Sequence, residues 1–172
     1  MNAATRREQI LQLLSQSSGP LSATAIASRF SVSRQIIVGD IALLRAAGAD
    51  ITATPRGYLL ERPEAQNHLE INIVCEHADD RLAEELYTVV DLGGALIDVT
   101  VEHSIYGQIC APLHIYSRFD ADAFLSKLER ENARPLCNLT GGIHLHRLRC
   151  PNAEVQARVL QALKDKGFLL ER

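Results

Sequence analysis

Residues 31–48 read SVSRQIIVGDIALLRAAG. Ser33 offers a side-chain oxygen to the amides of a following turn, Ile37, Ile41 and Leu44 recur at i, i+4 and i+7, and Gly48 ends the run. The spacing predicts a helix that buries one face and leaves Arg34, Gln35 and Val38 near its N-terminus on the open side. Immediately upstream, LSATAIASRF predicts a helix capped by Ser22. Before that, TRREQILQLL predicts one whose first turn is closed by Thr5 and Glu8 as a capping box, with Ile10, Leu11 and Leu14 facing inward. SSGP at 17–20 separates these two helices. Downstream, ITATPRGYLL reads as two short extended runs around Pro55-Arg56-Gly57, where Pro second and Gly fourth suit a type I turn.

Three helices and a hairpin, with only SVS between the second and third helices, describe a winged helix-turn-helix over residues 1–62. The N-terminus of the third helix presents free amides and a positive dipole end to phosphate. Arg34 and Gln35 can each make bidentate contacts with base edges, Ser33 and Val38 flank them, and Arg56 sits at the hairpin tip within reach of a neighbouring phosphate or groove. Charge supports this placement. The chain has a net charge of −3, yet residues 1–62 carry seven arginines against four acids, and the remainder is acidic. The stretch VSRQIIVGDIALLRAAGADI…RGYLL resembles the helix-turn-helix module of biotin-operon repressors and their relatives. Gly39 falls where such modules carry a larger polar residue, and it is assigned no contact. The implied partner is double-stranded operator DNA, read as a palindrome by a homodimer, because one recognition helix reads only a few base pairs.

At 172 residues, 47% hydrophobic and 23% charged, the chain has room for two small domains with cores of their own. It has no apolar run of about 18 residues that would cross a membrane, and MNAATRREQI has no signal core, so a cytoplasmic protein is expected. Cys75, Cys110, Cys137 and Cys150 are widely spaced without a C-x-x-C pair, and are expected to be buried reduced thiols. ERPEAQN around 63–67 is polar, contains Pro63 and reads as a linker.

Residues 68–172 alternate in kind. Leu69–Cys75, ALIDVTVEH, the run through Leu113 and Ile115, and GIHLHRL read as strands. Helices are expected over DDRLAEELYTVVDL, over FDADAFLSKLERE behind Ser117 as cap, and over NAEVQARVLQALKD. The order β-α-β-β-α-β with a trailing helix implies an α+β chain whose second domain is a mostly antiparallel sheet with helices on one face.

His144 and His146 are two apart on a strand, so both imidazoles leave the same face and can converge on one ion. His77 just past the first strand and Glu85 on the next helix are the further candidates. Glu84 would face about 100° away. Three histidines and a carboxylate suit Ni²⁺, Zn²⁺ or Fe²⁺, one ion per chain. His68 and His114 match no such group, and Asp91 and Asp98 read as caps or solvated residues.

The segments VEHSIYGQI, SRFDADAFLSKL and PLCNLTGGIHLH resemble the signature of the three-histidine (3H) domain, and the winged helix before them matches the domain order of niacin-responsive transcriptional repressors. The resemblance implies a non-enzymatic repressor that responds to nicotinic acid and controls genes of NAD synthesis or niacin uptake. It implies metal ligands at His77, Glu85, His144 and His146, and effector contacts at His103, Tyr106 and Gly107. Cys137, where a small hydroxyl residue is usual, and Arg147, where Thr is common, depart from the pattern; Arg147 points away from the histidines. Two other readings of the same residues are a metalloenzyme acting on a small carboxylate and a metal sensor with no organic effector.

Overall fold

The computed structural model describes residues 2–61 and 68–170, so the segment read as a linker at 63–67 lies outside the described residues. The chain divides into two compact units, Met1–Glu64 and Ala65–Arg172.

In the first unit, α1 (Ala3–Gln16), α2 (Ala23–Phe30) and α3 (Arg34–Ala46) precede a hairpin of β1 (Ile51–Thr54) and β2 (Gly57–Leu60). Ser22 accepts from the Ala25 amide and Ser33 from the Ile36 amide, as the sequence leads one to expect. The first helix differs. Its cap is Asn2, whose side chain accepts from Thr5 N at 2.8 Å, so Thr5 lies inside the helix and no Thr5–Glu8 box forms. Ile10, Leu14, Ile26, Ile37, Ile41, Leu44 and Ile51 make one core. Fully burying each such side chain is worth about 1.5–3 kcal/mol. Asp40 is buried on α3 and takes an ion pair from Arg6 Nε at 2.6 Å, with Arg7 3.6 Å away, which ties α1 to α3. The hairpin docks on the chain before α2 through paired amide and carbonyl bonds between Leu21 and Tyr58, 2.8 and 2.9 Å. Gly57, at φ +139°, permits that approach, since a Cβ there would collide with the backbone of Leu21.

The second unit is a four-stranded sheet: β3 (Leu69–Glu76), β4 (Ala95–His103), β5 (Gly107–Ile115) and β6 (Ile143–Cys150) in the order β3-β6-β4-β5, with every pairing antiparallel. Alternation decides the faces. His144, His146, Leu148 and Cys150 are buried, and Arg147 between them is exposed. The buried face packs on α4 (Leu82–Asp91), α5 (Arg118–Arg130) and α6 (Ala153–Asp165) around Ile73, Leu86, Val89, Leu96, Ile115, Leu148, Val159, Leu163 and Phe168. Ser117 caps α5 as expected and Asn152 caps α6. The helix expected from Asp79 begins instead with a 3₁₀ turn over Asp79–Arg81, and a second 3₁₀ turn, Leu136–Thr140, leads into Gly141 and Gly142.

Two residue expectations are corrected. Cys110 is exposed on β5, on the side of the sheet away from the helices, and only Cys75, Cys137 and Cys150 are buried; all four are free thiols. Asp98 is neither a cap nor solvated: it is buried and takes Arg147 Nη2 at 2.7 Å, where a register shift in β4 brings the two together.

Candidate metal centre and nucleic-acid interface

Strand register builds the metal centre. β6 sends His144 and His146 to the helix-covered face, β3 runs beside it, and His77 follows directly after β3. Glu85, in the first turn of α4, is carried under the sheet and is 0% exposed. The glycines set the other edge. Gly142 lies against the His77 backbone at φ +103°, and a Cβ there would stand 2.5 Å from the His77 carbonyl oxygen. Only glycine fits that crossing.

All three imidazoles point Nε2 at one carboxylate. His77 Nε2 is 2.8 Å from Glu85 Oε2, His146 Nε2 3.5 Å from the same oxygen, and His144 Nε2 3.3 Å from Oε1. On the far side of each ring, Nδ1 meets a backbone carbonyl: Ala78 at 2.8 Å, Gly142 at 2.9 Å and Asp98 at 2.7 Å. A carbonyl accepts only, so each Nδ1 carries the proton and each Nε2 turns toward the carboxylate. Neutral rings held this way present lone pairs to a carboxylate that also has only lone pairs, a conflict that either protons on Nε2 or a bound cation resolves. Among the described residues, Glu85 Oε1 and His146 Nε2 are buried with no aligned hydrogen-bond partner.

The electrostatics follow the geometry. Burial pushes the Glu85 carboxyl up, but His146, His144 and His77 together hold it well below the usual carboxylate range. Burial pushes His77 and His146 down, but Glu85, together with the Ala78 and Asp98 carbonyls, raises both. Burial and then Glu85 push the Cys75 thiol far above its ordinary range. Cys75, Glu85 and His144 form a buried group able to hold a metal ion, their donor atoms within 4.8 Å of one another. Reading the sequence missed Cys75, because its neighbours come from strand register and helix packing. Glu84 faces outward to Arg81 and Lys166, as its position on the helix requires.

A pocket of about 300 Å³, its open mouth included, lies over this centre. Its walls include Leu82, Leu86, Val99, Leu113, Phe124, Pro135 and Leu136, with Cys137, His144 and His146 as the polar lining. His103, Tyr106 and Gly107 are not among the lining residues. They occupy the exposed β4–β5 hairpin, where His103 Nδ1 accepts from the Ile105 and Tyr106 amides and Tyr106 is 75% exposed.

In the first unit, Arg34 and Gln35 are exposed at the start of α3, Val38 is half-buried, Ser33 is occupied as the cap, and Arg56 is exposed in the β1–β2 turn. No described helix is long and apolar enough to cross a membrane.

Residues 6–59 match a helix-turn-helix domain family and residues 70–172 match the 3H domain family. The chain is 40% identical over 166 residues to the probable transcription repressor NiaR of Thermotoga maritima, covering 96% of this chain and 94% of the relative. It is 38% identical over 170 residues to the transcription repressor NadR of Bacillus subtilis, covering 98% of this chain and 94% of the relative. Both relatives are named as repressors and neither as an enzyme. With this likeness running nearly end to end, the chain belongs to the family of transcription repressors that join an N-terminal helix-turn-helix domain to a 3H domain.

Proposed function

We propose that this protein is a metal-containing repressor that binds operator DNA through its first unit, responds to nicotinic acid through its second, and controls genes of NAD synthesis or niacin uptake. The observation that carries the effector reading is the pocket. Its apolar walls suit the two faces of a small aromatic ring, and its polar lining is Cys137, His144 and His146. His77, Glu85, His144 and His146 would hold one divalent transition metal (Ni²⁺, Zn²⁺ or Fe²⁺), which when bound supplies positive charge and a Lewis-acid position for a carboxylate at the pocket floor. Leu86, Val99 and Phe124 orient the ring and exclude water, and the carbonyls of Ala78, Gly142 and Asp98 keep the three imidazoles aimed. His103, Tyr106 and Gly107, on the hairpin, are a second place where effector contacts are proposed.

On the DNA side, Arg34 and Gln35 read base edges, Ser33 and Val38 support them, and Arg56 takes a phosphate. Two copies act as a homodimer on a palindromic site. Calorimetry of the metal-loaded protein with nicotinic acid and nicotinamide in parallel tests the effector reading. Binding of the acid in preference to the amide supports a carboxylate at the pocket floor. Equal binding, or none, contradicts it.

A further inference from the structure

We propose that Cys75 is a sulfur ligand of the metal held by the histidine–carboxylate cluster. The inference rests on the metal reading above and adds a donor which that reading does not use. Cys75 stands opposite His144 in the β3–β6 register, so both side chains leave the sheet on the same face. It is 0% exposed, and its Sγ, a Glu85 oxygen and a His144 nitrogen lie within 4.8 Å of one another. Donors on opposite sides of one ion, at bond lengths of about 2.0–2.3 Å, stand up to roughly 4.5 Å apart, so small side-chain adjustments place all three on one ion.

A second observation is independent of the thiol. Glu85 Oε1 and His146 Nε2 are buried without a hydrogen-bond partner among the described residues, so polar atoms of this cluster remain available for an ion. Cys150 shows what a packing cysteine looks like on the same face: equally buried, two residues beyond Leu148 in the apolar core, and outside the donor group. Cys75 differs in being lodged against a carboxylate and an imidazole.

Coordination replaces the S–H bond with a sulfur–metal bond and releases one proton to solvent, with no change in oxidation state. A thiolate makes the site softer, so it favours Zn²⁺, Ni²⁺ and Co²⁺ and disfavours Mg²⁺ and Mn²⁺ more than three histidines and a carboxylate alone would.

Loading the full chain with Co²⁺ tests this through colour rather than repression. The expected result is a near-ultraviolet thiolate-to-cobalt charge-transfer band beside the visible ligand-field bands. It should persist in Cys110→Ser and Cys150→Ser and be lost in Cys75→Ser, which keeps the visible bands. X-ray absorption of the Zn²⁺-loaded unmutated protein, which needs no variant to fold, should show one sulfur scatterer near about 2.3 Å. Visible bands without a charge-transfer band, only nitrogen and oxygen scatterers, or a band that disappears in Cys137→Ser instead, would overturn the assignment of Cys75 while leaving the metal site standing. No uptake of cobalt or zinc would overturn the metal reading as well.

Discussion

Gly142 and His77 cross so closely that the α-carbon of one faces the backbone carbonyl of the other, and a Cβ on Gly142 would come within 2.5 Å of that oxygen. His77 N also donates to Gly142 O at 3.4 Å, and Gly142 O takes the Nδ1 proton of His144 at 2.9 Å. One glycine therefore sets the spacing of two imidazoles. Gly142→Ala should cost about 1–3 kcal/mol of stability, through steric conflict and an unfavourable φ, and should weaken metal binding with it. Gly141, at φ +65° with nothing within 4 Å of its Cβ position, is the comparison. Gly141→Ala should lose about 1–2 kcal/mol and keep its metal affinity. Denaturant melts with metal titrations on both variants check this, and equal metal affinity in the two would contradict it.

His144→Ala combined with His146→Ala should sharply weaken metal binding, because two of the proposed ligands are lost and only His77, Glu85 and Cys75 remain. None of the proposed ligands lies among the described residues of the first unit, so DNA affinity in the absence of effector should persist. Metal analysis and a DNA titration with and without nicotinate are the measurements. Unchanged metal affinity in the double variant, or an intact effector shift, would place the site elsewhere.

The parts of this fold that are legible in the sequence are those settled within a few residues. Ser22, Ser33 and Ser117 cap their helices because a cap needs only an amide three positions on. The pair His144 and His146 declares its shared face through strand alternation alone. Asn2 was missed in favour of Thr5 because both are good caps and the choice depends on where the first turn closes. What stays hidden depends on distance along the chain. Asp40 looks like a solvated helix residue until Arg6, 34 positions earlier, is folded onto it. Asp98 finds Arg147 only through a shift in strand register. Cys75 reads as an ordinary alternating core residue, and nothing local reveals that α4 brings Glu85 beside it. The pocket lining comes from two helices, three strands and a 3₁₀ turn, which no single motif encodes.

Leu136→Trp should fill the pocket without touching the ligands. Leu136 is half-buried in the lining, on the 3₁₀ turn, and makes no contact that holds Glu85 or the histidines in their hydrogen bonds. Nicotinic acid affinity should fall at least about tenfold, equivalent to roughly 1.4 kcal/mol, with metal content unchanged. Calorimetry on the metal-loaded variant decides it, and unaltered affinity would move the effector away from this pocket.

Arg34→Ala with Gln35→Ala should abolish operator discrimination and leave the fold intact, since both side chains are exposed at the start of α3. Each lost bidentate base contact is worth about 1–3 kcal/mol of discrimination. A gel-shift series against scrambled operator should show the specific and non-specific affinities converging. Retained specificity would refute the assignment of these two residues.

The homodimer reading predicts a particle of twice the chain mass at micromolar concentration, bound to a two-fold symmetric site with half-sites about one helical turn apart or a multiple of that. Light scattering with footprinting measures both. A monomer on a single half-site would contradict it.

If metal and nicotinic acid act together on DNA binding, titration of operator DNA with metal-loaded and metal-free protein, each with and without nicotinic acid, separates their effects. Nicotinic acid should shift the DNA affinity of the metal-loaded protein and leave the metal-free protein unmoved. An equal shift in both forms, or a shift produced by metal alone with no further effect of nicotinic acid, would contradict it.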